Sequence, residues 1–340
     1  MASFLLRNIL KFLLLLLATS VLVFVLVSIS PLDPVQMNVD QAAYLTMSPE
    51  KKAQLAEYWG TNTPLWERYA HWFGDFLRGD LGTSLRFNAP VADVIALRFF
   101  NSLALMIVAW ILSGVLGFAL GIGAAVKRGG FVDRIIKGYC LILAATPAFW
   151  LGLVLLIIFS VTLGWFPVGF SVPIGVSSAD LTPFDSLRHL ILPAATLSVV
   201  GVANIALHTR EKALDTRESE FFQFAEARGL STWQAMRQHG LRNLLLPALT
   251  LQFAQVAELF GGSVLVEQVF SYPGLGSAAV TAGLGGDAAL LAAIALISAA
   301  LVFLGNLIAN ILYGVIDPRL RRGRHARAKK DRAGAEDAPS

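Results

Sequence analysis

Charge is scarce in this sequence: Asp, Glu, Lys and Arg make up 15% of its 340 residues, where soluble domains carry about a quarter. That deficit excludes an ordinary soluble enzyme, and it equally excludes a disordered chain, which needs low hydrophobicity and high charge. Cysteine is nearly absent. Cys140 stands alone, so neither an internal disulfide nor a thiolate metal cluster can form within the chain. No GxxxxGK[ST] run is there to cradle nucleotide phosphates, and no HExxH, GxSxG or pair of intramembrane aspartates offers a catalytic centre. His71, His189, His208, His239 and His325 are spread along the chain without metal-ligand spacing. Apolar residues, by contrast, reach 56% and the mean hydropathy is +0.64. This is the composition of an all-α integral membrane protein.

A bilayer core of about 30 Å needs roughly 20 apolar residues in a helix. Phe12–Ser30, Phe99–Val126, Gly138–Ala179 and His189–Thr209 contain no Asp, Glu, Lys or Arg. The third is too long for one span and breaks at Gly164-Trp-Phe-Pro-Val-Gly169, leaving a helix near Gly138–Leu163. Leu245–Val266 holds one charge, Glu258, and Ala288–Ile316 completes six expected transmembrane helices. Arg7 and Lys11 before the first run resemble the start of a secretory signal. The run is long for one, however, and Val27-Ser-Ile-Ser-Pro-Leu-Asp33 offers no small-x-small cleavage site, so an uncleaved helix is expected.

Basic residues set the orientation. With the N-terminus inside, 20 of 27 Lys and Arg fall on the cytoplasmic side. Both termini are therefore expected in the cytoplasm of a multi-pass protein of the cell (plasma or inner) membrane. Four parts follow: residues 1–30, an N-terminus and first span; 31–98, an extracytoplasmic segment; 99–317, a five-helix core with a cytoplasmic loop at 210–244; and 318–340, a basic tail. Net charge +4 and pI near 9.3 do not signal nucleic acid. Beside a final span, Arg319–Arg332 is a topology anchor for anionic membrane lipid.

In the outer segment, Trp66, Tyr69 and Phe73 fall at helical spacing, which predicts an amphipathic helix at the membrane interface. Gly117–Gly121 is a GxxxG in the second run, the small-residue spacing that lets helices pack closely in lipid. Pro147 predicts a kink in the third span, while Pro247 is expected at the start of the fifth, where its missing N–H does no harm. Thr281–Asp287 is too glycine-rich for a stable helix, so Ser263–Gly286 is expected to end in a re-entrant or cavity-lining loop. The inner segment Arg210–Asn243 carries Phe221, Phe222, Phe224 and Trp233 among charges. A short helix there either packs under the bundle or enters another protein's groove. Glu258, charged and well inside a span, costs on the order of 3 kcal/mol unless it faces a cavity or partner. It is expected, about 20 Å along the fifth span, to line a hydrophilic path.

Several motifs, in order, resemble one family. Gly60-Thr-Asn-Thr-Pro64, Arg68-Tyr69, Gly79-Asp-Leu-Gly-Thr-Ser84 and Arg98-Phe-Phe-Asn-Ser-Leu103 precede and open the second span. Thr146-Pro-Ala-Phe-Trp-Leu-Gly152, Val266-Glu-Gln-Val-Phe-Ser-Tyr-Pro-Gly-Leu-Gly276 and Asp317-Pro-Arg319 follow. Nearly end to end, the chain resembles the integral-membrane permease subunit of an ABC importer, in the dipeptide/oligopeptide and nickel permease group, on its B-type side. The resemblance implies a type I importer bundle of six spans and an EAA-type loop. Phe221–Thr232 would be a coupling helix seated in a cytosolic ATPase, with Phe221, Phe222, Phe224, Ala225, Ala227, Gly229 and Leu230 at the contact. Gln223 and Phe224 stand where the motif has Glu and Ala, a departure of this subgroup.

The same resemblance implies partners: a second homologous permease, two cytosolic ATPase subunits holding ATP and Mg, and an extracytoplasmic substrate-binding protein. This chain would carry no cofactor, no metal and no enzymatic activity, and would form half of a path for short peptides. Nickel or a metal chelate is the alternative cargo, and a stand-alone channel or proton-coupled transporter using Glu258 the alternative mechanism. Phe270 and Tyr272, at the outer end of the fifth span, join Glu258 as expected path residues, and Glu267 is expected to fix the Phe270–Gly276 loop.

Overall fold

The computed structural model describes residues 2–29, 39, 41–58, 63–169 and 183–316. Trp59, Gly60-Thr-Asn62, Asp317-Pro-Arg319 and the basic tail lie outside those residues, as do residues 170–182. The described chain is helical: α1 (Ala2–Ile29), α2 (Gln41–Thr46), α3 (Pro49–Tyr58), α4 (Leu65–Leu77), α5 (Val91–Val126), α6 (Phe131–Ala145) and α7 (Ala148–Leu155, continuing as a π-helical stretch Leu156–Thr162). Then come α8 (Pro183–Arg217), α9 (Glu220–Ala227), α10 (Thr232–Ala235, followed by π-helical Met236–Gly240), α11 (Leu241–Ala254), α12 (Val256–Val269), α13 (Leu275–Leu284) and α14 (Ala288–Ile316). One short antiparallel hairpin pairs β1 (Thr83–Ser84) with β2 (Ala89–Pro90). Helices predominate because lipid offers no partner to a free backbone N–H or C=O.

Three stretches, Ile9–Val27, Val91–Val126 and Ala288–Leu312, are long and apolar enough to cross a membrane unaided. Three broken pairs meet the same test together: α6 with α7, the two parts of α8, and the α10–α11 run with α12; counting each pair as one span gives six.

Several sequence expectations change. α5 starts at Val91, eight residues before the uncharged run, because Val91, Val94 and Ile95 are buried and charge on its outer turns does not interrupt it. Pro147 does not kink a continuous helix. The helix ends at Thr146, and Pro147 is the N-cap of α7, a position where its missing N–H is harmless. Pro247 is interior to α11, since the helix begins at Leu241, ahead of the apolar run. α13 covers Thr281–Leu284: the alanine-rich stretch before the glycines carries the helix, and the turn is left to Gly285 and Gly286.

The chain forms two compact units. One comprises the described residues up to Ala109 together with Pro147–Leu197 and Leu259–Phe303. In it, Val91, Val94 and Ile95 pack with Leu275, Ala278 and Ala282 of α13 and Leu290, Ala293 and Ile294 of α14. A second cluster joins Phe24 of α1 to Trp72 of α4 and to Ala288, Ala292 and Leu296 of α14, with Tyr69, Phe73 and Phe76 against it. Tyr69 and Phe73 of the expected stripe thus pack on this chain's own helices while Trp66 stays exposed, and Tyr69 Oη shares a 2.9 Å hydrogen bond with Ser20 Oγ.

The other unit comprises Trp110–Thr146, Ser198–Glu258 and the described residues from Leu304 on. Here the GxxxG stripe of α5 lies directly on α8. A Cβ at Gly117 would come within 2.8 Å of Ile205 Cβ, and one at Gly121 within 2.6 Å of the Ala206 carbonyl oxygen. Small residues at those two positions set the helix separation.

Candidate functional site

The first unit brings two of the sequence motifs together, Arg98–Leu103 and Val266–Gly276. Glu267, near the end of α12, is fully buried. Its Oε1 accepts 2.6 Å from Ser102 Oγ on α5, and its Oε2 accepts 2.9 Å from the Ser277 N–H on α13. Ser102 Oγ in turn accepts 2.7 Å from the Leu275 N–H, so one hydroxyl joins a carboxylate to the first turn of α13. Asn101 Nδ2 donates to the Pro273 carbonyl at 2.9 Å, and Arg98 Nη1 donates to Ser277 Oγ at 3.1 Å. A Cβ at Gly274 would overlap the Glu267 carboxyl, which is why the turn has glycine there. Phe270 and Tyr272 are 2% and 5% exposed: within this chain they face protein.

A second buried carboxylate repeats the pattern. Asp287 caps α14, its Oδ1 accepting from the Leu290 N–H at 3.1 Å, while Oδ2 accepts from Ser84 Oγ at 2.6 Å and the Arg86 N–H at 3.2 Å. The hairpin bearing Gly79-Asp-Leu-Gly-Thr-Ser84 is pinned by that carboxylate. Asp287 escaped the sequence reading, although an Asp between two glycines and an apolar run is an N-cap signal.

Glu258 is not part of an unbroken helix. α11 ends at Ala254, and Glu258 lies exposed in the first turn of α12, where a carboxylate complements the N-terminal dipole. Near the break, buried Gln252 donates through Nε2 to Ser113 Oγ at 3.0 Å, and its main-chain carbonyl accepts from Trp110 Nε1 at 3.1 Å. Gln252 was also missed, being one amide within an apolar run.

The second unit carries the inner segment. α9 runs Glu220–Ala227, shorter than the expected Phe221–Thr232, and Gly229 ends it with φ +91°. The Leu230 N–H bonds to the Ala225 carbonyl at 3.3 Å and the Gly229 N–H to the Glu226 carbonyl at 2.9 Å, a Schellman closure needing the left-handed residue glycine supplies. Ser231 and Gln234 then form a capping box opening α10.

The two faces of α9 differ. Phe222 and Ala225 are buried among Ile122, Ala125, Ala213, Leu214 and Met236, so they fasten the helix to its own bundle. Phe221 (45% exposed) and Phe224 (64%) point outward, as does Trp233 of α10. Ala227 and Gly229 are exposed and Leu230 is half-buried against the cluster. The Arg228 guanidinium lies 5.7 Å from the Phe224 ring centroid.

An ion pair stands above this helix. Arg210 Nε donates to Asp133 Oδ1 at 2.7 Å and Nη2 to Oδ2 at 2.9 Å, with side chains 10% and 4% exposed. Asp133 lies before the uncharged run that begins at Gly138. The Gly129 N–H also donates to Asp133 Oδ2, at 2.9 Å, so the carboxylate is fully engaged. The pair was missed because its partners are 77 residues apart in segments whose charges look like topology signals.

Residues 117–322 match the family described as binding-protein-dependent transport system inner membrane component, and residues 1–106 match the N-terminal region of such components. The chain belongs to this family. It is a multi-pass inner-membrane transport component, not an enzyme, and the family works with a substrate-binding protein and with ATPase subunits that hydrolyse ATP. Among similar proteins, the oligopeptide transport system permease protein AppB of Bacillus subtilis (strain 168) is 36% identical over 321 residues, 94% of this chain and 99% of that protein. The dipeptide transport system permease protein DppB of Escherichia coli (strain K12) is 32% identical over 320 residues, covering 89% and 94%. The glutathione transport system permease protein GsiC of Escherichia coli O6:H1 is 34% identical over 325 residues, covering 94% and 99%. Among the described residues no group of three or more His, Cys, Asp and Glu could hold a metal ion.

Proposed function

We propose that this chain is one of two homologous permease subunits of an ATP-driven importer of short peptides. Two cytosolic ATPases carrying ATP and Mg would drive it, and an extracytoplasmic binding protein would deliver the cargo. Relatives named for oligopeptide, dipeptide and glutathione transport, alike over most of the chain, support the cargo class. The observation that carries the coupling role is the division of α9: one face seated against its own bundle through Phe222 and Ala225, the other offering Phe221 and Phe224. Aromatics displayed from an anchored helix suit a groove on a partner. Closure of the ATPases would move α9 and bias the bundle between inward-open and outward-open states, since a ligand shifts an equilibrium only by its differential contacts with the two states.

The excess of Lys and Arg on one side of the spans supports both termini in the cytoplasm. Glu258, exposed at a helix break within a span, is assigned to the translocation path. Phe270 and Tyr272 act at its outer end through the turn they brace. The test is gentle extraction of the tagged chain from native membranes and identification of its companions by mass spectrometry. A second permease, two ATPases and a binding protein are expected. Recovery of the chain alone, moving solute in liposomes without ATP, would contradict the proposal and favour a channel built on Glu258.

A further inference from the structure

The apolar seat of α9 has no directionality. Phe222, Ala225, Ala213, Leu214, Ile122 and Ala125 make contacts that hold a helix near a surface but resist sliding weakly, because dispersion contacts are individually small and geometrically tolerant. A helix pushed by a partner must transmit its displacement through something stiffer. Covalently it continues through Glu218 and Ser219 into α8 and through Arg228–Ser231 into α10. The chain between Ala125 and Asp133, which joins α5 to α6, has no such covalent link to α9.

Hydrogen bonds supply one. Arg210, ten residues before α9 begins, grips Asp133 in the first turn of α6 through two parallel bonds. Asp133 Oδ2 also accepts from the Gly129 N–H at 2.9 Å, so the same carboxylate fixes the turn after α5. Further down α8, Arg217 Nη1 donates to the Ala125 carbonyl at 2.7 Å, and Arg128 reaches Glu218 at 2.8 Å in an exposed pair. These links lie along residues 210–218, about 12 Å of helix, immediately before the turn into α9. The exposed pair contributes little. The buried fork with its shared backbone N–H defines distance and orientation together.

We propose that Asp133 and Arg210 are positioning residues that clamp the inner ends of α5 and α6 to α8, so that displacement of α9 moves α5 and α6 together with α8. The pair is buried among this chain's own helices, and this role rests on the coupling function proposed above for α9. A lysine at position 210 would keep the charge but offer a point contact in place of the planar fork. Arg210→Lys therefore separates a clamp from simple neutralisation of a buried carboxylate.

The experiment uses the whole transporter reconstituted in liposomes, with ATP inside and the peptide-loaded binding protein outside. Peptide uptake and ATP hydrolysis are measured on the same sample. The clamp requires Arg210→Lys to assemble with its partners and hydrolyse ATP at near the wild-type rate. Peptide moved per ATP should fall by about tenfold, within the range of ordinary coupling energies. Asp133→Asn should do the same, and Arg128→Ala, in the exposed pair, should match wild type. Wild-type uptake per ATP in Arg210→Lys would overturn the clamp alone. Failure of Arg210→Lys to assemble would overturn it too, placing the pair in folding. If the wild-type complex itself showed no ATP-dependent uptake, the importer function would fall, and the clamp with it.

Discussion

Removing one hydroxyl should loosen the turn at the C-terminal end of α12. Ser102→Ala deletes the donor to Glu267 Oε1 and the acceptor of the Leu275 N–H in one step. Ser102 is 2% exposed and Glu267 fully buried, so water does not readily replace either bond. A lost hydrogen bond to a charged group is worth about 1.5–3 kcal/mol and an orphaned buried N–H about 1–3 kcal/mol. Taking the low end of each, because the Ser277 N–H and the Asn101–Pro273 bond remain, gives about 2.5–3 kcal/mol. That corresponds to roughly a hundredfold shift in the local opening equilibrium. The assay is amide hydrogen exchange of the purified complex, followed on a peptide spanning Tyr272–Ser277. Exchange should accelerate about a hundredfold in Ser102→Ala, and Ser102→Thr, which keeps the hydroxyl, should stay near wild type. Unchanged exchange in the alanine variant would refute the view that Glu267 and Ser102 hold this turn.

The two faces of α9 predict opposite phenotypes. Phe222→Ala opens a buried site and should destabilise the chain by about 3–5 kcal/mol, read as loss of folded protein, while Phe224→Ala should leave thermal stability intact and weaken ATPase co-purification by about 2 kcal/mol, roughly thirtyfold. Equal effects on stability would contradict the assignment of faces. Gly121→Leu places a side chain where the Ala206 carbonyl already sits 2.6 Å from a Cβ, so the variant should fail to accumulate; normal yield would show that α5 and α8 pack elsewhere.

The apolar runs were legible because lipid imposes one requirement, a helix about 20 residues long with its backbone satisfied. What the runs concealed is where helices break. Thr146–Pro147 was visible as a perturbation, yet only packing decides between kink and restart. Gln255 carries no breaker signal at all, so Glu258 was placed within an unbroken helix. The start of α5 was hidden by Asp93 and Arg98, charges that membrane-span counting treats as boundaries but that a partly aqueous helical turn tolerates. At the functional sites, the motifs showed which segments matter but not that they meet. Glu267, Ser102 and Ser277 come from three separated stretches, as do Asp287 and Ser84, and contacts across 165 or 203 residues leave no periodicity to read. Periodicity within α9 was equally silent: eight residues hold too few turns to tell Phe222, which is buried, from Phe221 and Phe224, which are not.

The most direct test of the account is peptide uptake by the reconstituted complex, with and without internal ATP, for wild type and for Phe221→Ala/Phe224→Ala. Uptake is predicted to require ATP and the binding protein, and to collapse in the double variant while the chain itself stays folded. Uptake that persists without ATP, or that survives loss of both outward phenylalanines, would contradict the claim that energy enters this protein through α9.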